Sequence, residues 1–403
     1  MIQSHIDWEA AAELLLGYSF PTEPECLPVS QVLGRILAAD CVAHTPIPPF
    51  DKSPFDGYAC RTADVPGTLR VIGTAAAGCR ELPALSRGEA LRIFTGAPVP
   101  PGADAVIRQE DAEADGATVN IRQPVPTGTN ILRRGEDLRE SQQMLSRGTR
   151  LEPGHLGLLA SQGIAEVKVF RRPSVCLIPT GSELAEPGGI CGPYGIYNSS
   201  SYVLVAYLEK MGFAVARQPI VPDEEDATLS AVRSALESPA DLVLTTGGAS
   251  VGDYDFAERT ASALGSVRLF RKVNMKPGGA LLASLWKGKL LINLSGNPAA
   301  ALMSLLTVLR PALKGMTGAQ EADEYWTLPV REPMPKTSSA VRMLRGHLLV
   351  EDGRAWFQEH QGRGNGNIAS FAGCELIGIV PGNSAPLEKG DEIRVLRLPP
   401  YLL

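Results

Sequence analysis

Between residues 171 and 318, short apolar runs alternate with helical patterns, and that alternation constrains the fold more than any other property of the chain. Ser174-Val175-Cys176-Leu177-Ile178 reads as a buried strand running into Pro179-Thr180-Gly181. A helix is predicted over residues 199–211 with Gly212 as its stop, and a strand over 214–218 follows. Asp223 then precedes a helix reaching Leu236, and a strand over 241–245 leads to Thr246-Gly247-Gly248. The run 289–294 is a further strand, after which Ser295-Gly296-Asn297-Pro298 opens a long helix over 299–309. Uniformly apolar strands interleaved with helices predict a doubly wound α/β domain with a mostly parallel sheet.

The flanking regions read differently. Residues 46–145 are dense in glycine and proline around short alternating runs at 69–72 and 117–121, which predicts a β-rich module. Residues 1–45 read as a helix, a turn and a short segment; residues 146–170 return to a helical pattern over 155–162, followed by an alternating run over 165–169. These two stretches are expected to form one discontinuous N-terminal helical or linker domain. Residues 325–403 return to short strands and tight turns, as in Glu392-Ile393-Arg394-Val395-Leu396, and predict a small β-barrel or sandwich. The expected architecture is multi-domain α/β plus β.

Charge and cysteine usage narrow the function class. Lys and Arg number 38 against 44 Asp and Glu, a balance of −6, which argues against binding nucleic acid through a basic face. The seven cysteines are scattered without a Cys-x-x-Cys pair, so neither structural zinc nor a disulfide framework is expected. Thiols in a reducing cytoplasm fit that usage. Asp7, Glu9 and Glu13 interrupt the apolar start, so a signal peptide is not expected. No run approaches the ~18 uninterrupted apolar residues of a membrane span.

Ligands of open α/β sheets bind beyond the carboxyl ends of the strands. Three turns fall at such ends: Thr180-Gly181-Ser182-Glu183-Leu184, the run from Gly247 and Gly248 through Ser250 and Gly252 to Asp255, and Ser295-Gly296-Asn297-Pro298. All combine glycine with side-chain hydroxyl or amide groups. Glycine allows close backbone approach, and exposed N–H groups there can cradle an anion. Plain turn chemistry explains any one of them; three at one edge point to a ligand. Pro298 at the start of a helix also aims a positive helix end at whatever binds. Glu183, Asp223, Asp253 and Asp255 add hard oxygen donors suited to Mg²⁺ on a phosphate-friendly rim, although Asp223 equally suits a helix N-cap. Lys272 and Lys276 are four apart, and alternation places both on one face of a strand, where either could meet an anion. The absence of Gly-x-x-x-x-Gly-Lys-[Ser/Thr] excludes a P-loop nucleotidase. In the β-rich module three tightly turning segments stand out: Pro48 to Ala59 with Asp56, Phe94 to Ile107 with Thr95, and Arg133 to Asp137.

Taken in order, these segments resemble the molybdopterin molybdenumtransferase family, whose eukaryotic homologue is the E domain of gephyrin. The family pattern Ser-Ala-Met-Asp-Gly-Tyr-Ala appears at Ser53 to Ala59, and Thr-Gly-Ala-Pro with Gly-Ala-Asp-Ala-Val at Thr95 to Val106. Gly135-Glu136-Asp137, Thr180-Gly181-x-Glu183-Leu184, the glycine-rich run to Asp255, Lys276-Pro277-Gly278 and Gly296-Asn297-Pro298 follow. Each is modestly specific alone; the ordered set spans nearly the whole chain. The resemblance implies Mg²⁺-dependent insertion of molybdate into adenylylated molybdopterin, giving molybdenum cofactor and AMP. It implies a homodimer in which the molybdopterin-binding α/β domain of one subunit faces the β-rich lid of the other. Asp56, Thr95, Asp137, Glu183, Asp223, Asp255, Lys272 and Lys276 would be catalytic, with Glu183, Asp223 and Asp255 as the Mg²⁺ candidates. Thr180, Gly181, Ser182, Gly247, Gly248, Ser250, Gly252, Pro277, Gly278, Ser295, Gly296, Asn297 and Pro298 would bind the cofactor. A molybdopterin adenylyltransferase and apo-molybdoenzymes are the implied protein partners. The chain departs from the pattern at Ser182 for Asp or Asn, Gly279 for Lys, Ser295 for Pro and Phe55 for Met. A divergent, catalytically weak molybdopterin-binding or scaffold paralogue is the alternative of another class; it would not need the charged groups Glu183, Asp255, Lys272 and Lys276. A third, weaker reading is that the chain handles tungstate, whose size and charge are too similar to those of molybdate for the sequence to separate them.

Overall fold

The computed structural model describes residues 3–248, 256–360 and 368–398. The chain divides into two compact units: residues 1–39, 148–156 and 166–403 in one, residues 40–147 and 157–165 in the other.

The larger unit is built on a seven-stranded sheet. Its strands are β1 (Gln3–Ile6), β2 (Ser174–Pro179), β3 (Ala214–Arg217), β4 (Leu242–Thr246), β5 (Val267–Val273), β6 (Leu281–Trp286) and β7 (Lys289–Leu294), in the order β1-β5-β6-β7-β4-β2-β3. Every neighbouring pair is parallel except the two that involve β6. Strand β4 is buried at every position and β2 at all but its first residue, as strands covered on both faces require. On one face lie α1 (Trp8–Leu16), α2 (Ser199–Lys210) and the long helix α5 (Pro298–Thr317), sharing Leu15, Leu204, Leu208, Leu302 and Leu306 in one core. On the other lie α3 (Glu225–Glu237) and α4 (Phe256–Ala263), with Val232, Leu236 and Ala261 against Ile178, Val243 and Leu291.

Three local expectations are overturned by the fold. The helix expected to stop near Leu309 continues to Thr317, through a π-type stretch at Leu305–Leu309. Pro311 lacks an N–H and its ring crowds the carbonyl one turn back, so the helix widens there and continues. Lys272 and Lys276 do not share a strand. The ladder of β5 ends at Val273, and Met275–Lys276 pairs instead with Val341 and Arg342. Asp223 does not cap α3, which starts after Glu224. The sheet also gains β1, whose short Gln-Ser-His-Ile sequence carries no strand signature and which pairs with β5 along its edge.

The C-terminal strands close a small barrel in the same unit. Tyr325–Pro329, Glu392–Arg397, Leu376–Val380, Val341–Glu351 and Arg354–Glu359 pair in that order, all antiparallel. A bridge between Val330 and Phe357 brings the last strand back to the first. Fully buried Phe357 fills the interior with Leu328, Leu376 and Val395, while Met343, Ile377 and Leu396 turn outward into the core beside α5.

The smaller unit holds a six-stranded sheet in the order Ala105–Arg108, Gly57–Cys60, Glu89–Ile93, Gly67–Ala75, Thr118–Ile121, Glu113–Ala114. Tyr58 and Cys60 point into one core and Ala59 into the other, so both faces are covered. Gly57 is obligatory: a Cβ there would stand 1.9 Å from the carbonyl oxygen of Ile107 on the neighbouring strand. Among the described residues one helix, Pro298–Thr317, is long and apolar enough to cross a membrane; 83% of its apolar stretch is buried inside the protein.

Candidate active site

From β2 the chain steps outward to β3, then returns to β4 on the other side of β2. That reversal makes the carboxyl ends of β2 and β4 the switch point where doubly wound sheets take ligands. The two following turns are tied together there. The Thr180 N–H and its hydroxyl both donate to the Thr246 carbonyl, each at 2.9 Å. Gly247 has φ +96°, and a Cβ on it would meet the Thr180 oxygens at 2.5 and 2.6 Å, so only glycine allows this approach. The Gly247 N–H donates to Leu294 at 3.1 Å, drawing the end of β7 into the same rim.

Beyond Thr180 the backbone ladder continues to residues 221–223. The Gly181 N–H donates to Val221 at 3.0 Å, and the Val221 N–H donates to Pro179 at 2.9 Å. Ser182 and Asp223 then close a reciprocal pair. The Ser182 N–H donates to the Asp223 carboxylate at 3.0 Å, and the Asp223 N–H donates to the Ser182 hydroxyl oxygen at 2.9 Å. Glu183 folds back over the same turn, its carboxylate within about 3 Å of where a Gly181 Cβ would sit. Two carboxylates thus flank a single exposed turn, a donor set of hard oxygens that fits Mg²⁺. Among the described residues no group of three acidic, His or Cys side chains gathers to hold a metal. Asp255, with Ser250, Gly252 and Asp253, lies outside the described residues.

The third turn is closed by its own cap. Asn297 accepts the N–H groups of Ala299 and Ala300 at 3.0 and 3.1 Å, and Pro298 has none to offer. The helix end therefore keeps its dipole while its first N–H groups are already taken by its own cap. Ser295 turns inward, its hydroxyl oxygen accepting the Asn297 N–H at 3.2 Å. Pro277 and Gly278 form a tight loop against α5. The Lys276–Pro277 bond is cis, Gly278 has φ +101°, and the Ser304 hydroxyl reaches the Gly278 carbonyl at 2.8 Å. A Cβ at Gly279 would stand 2.6 Å from the carbonyl oxygens of both Val273 and Met275, so the backbone here is drawn tight around a glycine. Lys276 is exposed and Lys272 half-buried. Lys272 sits at φ +64°, beside His5 of β1 at φ +69°, a backbone state that costs a non-glycine residue about 1–3 kcal/mol.

One residue of this rim carries no sequence motif. Asn293 is almost fully buried one residue before the end of β7, donating its amide to the Thr245 hydroxyl at 2.7 Å. Its signal was a lone amide in the apolar run Leu290-Leu291-Ile292-Asn293-Leu294.

In the smaller unit, Asp56 and Thr95 meet. The Asp56 carboxylate accepts the Thr95 N–H and hydroxyl, each at 2.8 Å. Those two donors, the N–H first, with Arg92 nearby, hold the Asp56 carboxyl below the usual aspartate range. Phe55 and Phe94 are both exposed beside this pair, under the guanidinium groups of Arg108 and Arg92. Asp137 is exposed in the same unit, its N–H donating to Ile47 at 2.9 Å, and it forms no hydrogen bond with the Asp56–Thr95 pair.

A doubly wound α/β domain joined to a barrel and a β-rich unit places the chain among multi-domain α/β proteins, a class whose open sheets take ligands at the switch point. Residues 6–163 match the family described as the MoeA N-terminal region (domain I and II), and residues 176–315 match a probable molybdopterin binding domain. Molybdopterin molybdenumtransferase of Staphylococcus aureus (strain Mu50) is 34% identical over 372 residues, covering 90% of this chain and 88% of that protein. Molybdopterin molybdenumtransferase of Staphylococcus epidermidis (strain RP62A) is 31% identical over 376 residues, covering 91% and 90%. The crystal structure of a molybdopterin biosynthesis moeA protein from Pyrococcus horikoshii superimposes with a TM-score of 0.85 at 27% identity, covering 98% of this chain and 99% of that one. The chain belongs to the molybdopterin molybdenumtransferase family.

Proposed function

We propose that this protein is a cytoplasmic, homodimeric molybdopterin molybdenumtransferase that inserts molybdate into adenylylated molybdopterin and releases AMP. The observation that carries the reading is the pairing of two segments at the switch point, one carrying Glu183 and the other Asp223, joined by the Ser182–Asp223 pair. In this reading Glu183 and Asp223, with Asp255, would hold Mg²⁺. Bound there, the ion would offset charge on the phosphoanhydride. Thr180, Gly181, Ser182, Gly247, Gly248, Ser250, Gly252, Pro277, Gly278, Ser295, Gly296, Asn297 and Pro298 shape the molybdopterin-binding rim. Lys272 and Lys276 supply positive charge to phosphate and molybdate. Asp56, Thr95 and Asp137 act from the partner subunit, with the ionised Asp56 held in one orientation by Thr95. Transfer of product to apo-molybdoenzymes, and of substrate from an adenylyltransferase, would be protein-to-protein.

The test is AMP release from adenylylated molybdopterin on addition of molybdate with Mg²⁺. Molybdate-dependent release above the uncatalysed background is expected; none would sink the reading. Competition between molybdate and tungstate in the same assay separates the two oxyanions.

A further inference from the structure

We infer that Ser182 is a positioning residue for the Asp223 carboxylate, through which it sets the Mg²⁺ affinity of the site. The inference rests on the metal reading proposed above and deepens it. Residues 179–182 and 221–223 run side by side as a short parallel ladder, with Thr180 bridged to Val221. The ladder has no further backbone pair at Ser182 and Asp223; there a side chain takes over on each strand. The Ser182 hydroxyl oxygen accepts the Asp223 N–H at 2.9 Å, and the Asp223 carboxylate accepts the Ser182 N–H at 3.0 Å. One Asp223 oxygen is thereby directed at the turn that carries Glu183, and its orientation is set by a closed hydrogen-bonded ring rather than by packing.

Burial cannot hold the carboxylate in place. Ser182 and Glu183 are exposed and Asp223 is only half-buried, so nothing apolar clamps it. The helix that follows gives no help either, because α3 begins at Glu225 and Asp223 stands outside its cap. The position of Asp223 therefore depends on two hydrogen bonds, one of which needs an acceptor on the side chain of residue 182. Outer contacts that orient a metal-binding carboxylate commonly change metal affinity by about 10–100-fold when removed. With its oxygen engaged as an acceptor, the Ser182 hydroxyl retains its proton for a ligand oxygen, which alanine would also remove.

The experiment is a calorimetric titration of Mg²⁺ into the full-length protein and its Ser182→Ala, Ser182→Thr and Asp223→Asn variants, with metal-free melting temperatures alongside. The expected result is an affinity about tenfold weaker in Ser182→Ala, restored in Ser182→Thr, with melting temperatures close to that of the parent. Wild-type affinity in Ser182→Ala, together with a loss in Asp223→Asn, would overturn the positioning role and leave the metal site standing. The positioning role also fails if Ser182→Ala lowers the affinity and the melting temperature together and Ser182→Thr restores neither. Wild-type affinity in Asp223→Asn, or no Mg²⁺ binding by the parent protein, would overturn the metal reading and this inference with it.

Discussion

Asp56 shows how a single side chain is tuned by its neighbours. Its lowered pKa comes from the Thr95 N–H first and the Thr95 hydroxyl second. Both bonds favour the charged form, so their contribution is complete above the ordinary aspartate range and fades as pH falls through the lowered value. Thr95→Val removes the hydroxyl and keeps the N–H. The Asp56 carboxyl, followed by NMR titration, should then move up toward the ordinary value and stop short of it. Gly247 is constrained in another way, by φ +96° and by the Thr180 oxygens packed against its α-carbon. Gly247→Ala should destabilise the protein by at least about 2 kcal/mol in denaturant unfolding and weaken molybdopterin binding, because the rim must open to admit the methyl group. The sequence marked the glycine run as a candidate for shaping a ligand site. That Gly247 makes room for Thr180 was not legible there, since the two are far apart in the chain and meet only when β2 and β4 pair.

Elements carry the next level of control. Ser304, deep in α5, ties that helix to the loop Lys276–Pro277–Gly278 by reaching the Gly278 carbonyl at 2.8 Å. Ser304→Ala leaves that carbonyl unpaired in a buried setting and should cost about 1–2 kcal/mol of stability in thermal or denaturant unfolding. Gly57→Ala should cost more, about 3 kcal/mol, since the strands Gly57–Cys60 and Ala105–Arg108 would have to separate to admit a Cβ 1.9 Å from the Ile107 oxygen. The apolar strands of the parallel sheet were readable because burial on both faces writes itself into composition. Strand β1 was not, because its place is set by the open edge of β5 and not by any periodicity of its own. The end of α5 was misread for a related reason: Pro311 normally closes a helix, and here nearly complete burial of α5 holds the turns together through a π-type widening.

For the whole molecule, the proposed dimer makes a sharp forecast. If each site draws Asp56 from one subunit and Asp223 from the other, Asp56→Asn and Asp223→Asn homodimers should both lose AMP release. Re-associating them as a mixture should restore roughly a quarter of the parent activity, since half the dimers are mixed and each holds one intact site of two. No recovery from dimers shown to exchange would place both residues in one subunit's site. The sequence by itself determined the fold class and the family, and it pointed to the strand ends for the chemistry, because strand–helix alternation and short glycine-rich turns are local patterns. Only the tertiary structure decided what those turns do to one another. It joined Ser182 to Asp223, packed Thr180 against Gly247, turned the Asn297 cap inward and separated Lys272 from Lys276. Each depends on how the backbone closes around it, and most on contacts between segments distant in the chain. Hydrogen-bond partners and steric room of that kind are set by how strands register and loops close, which no local pattern of residue types encodes.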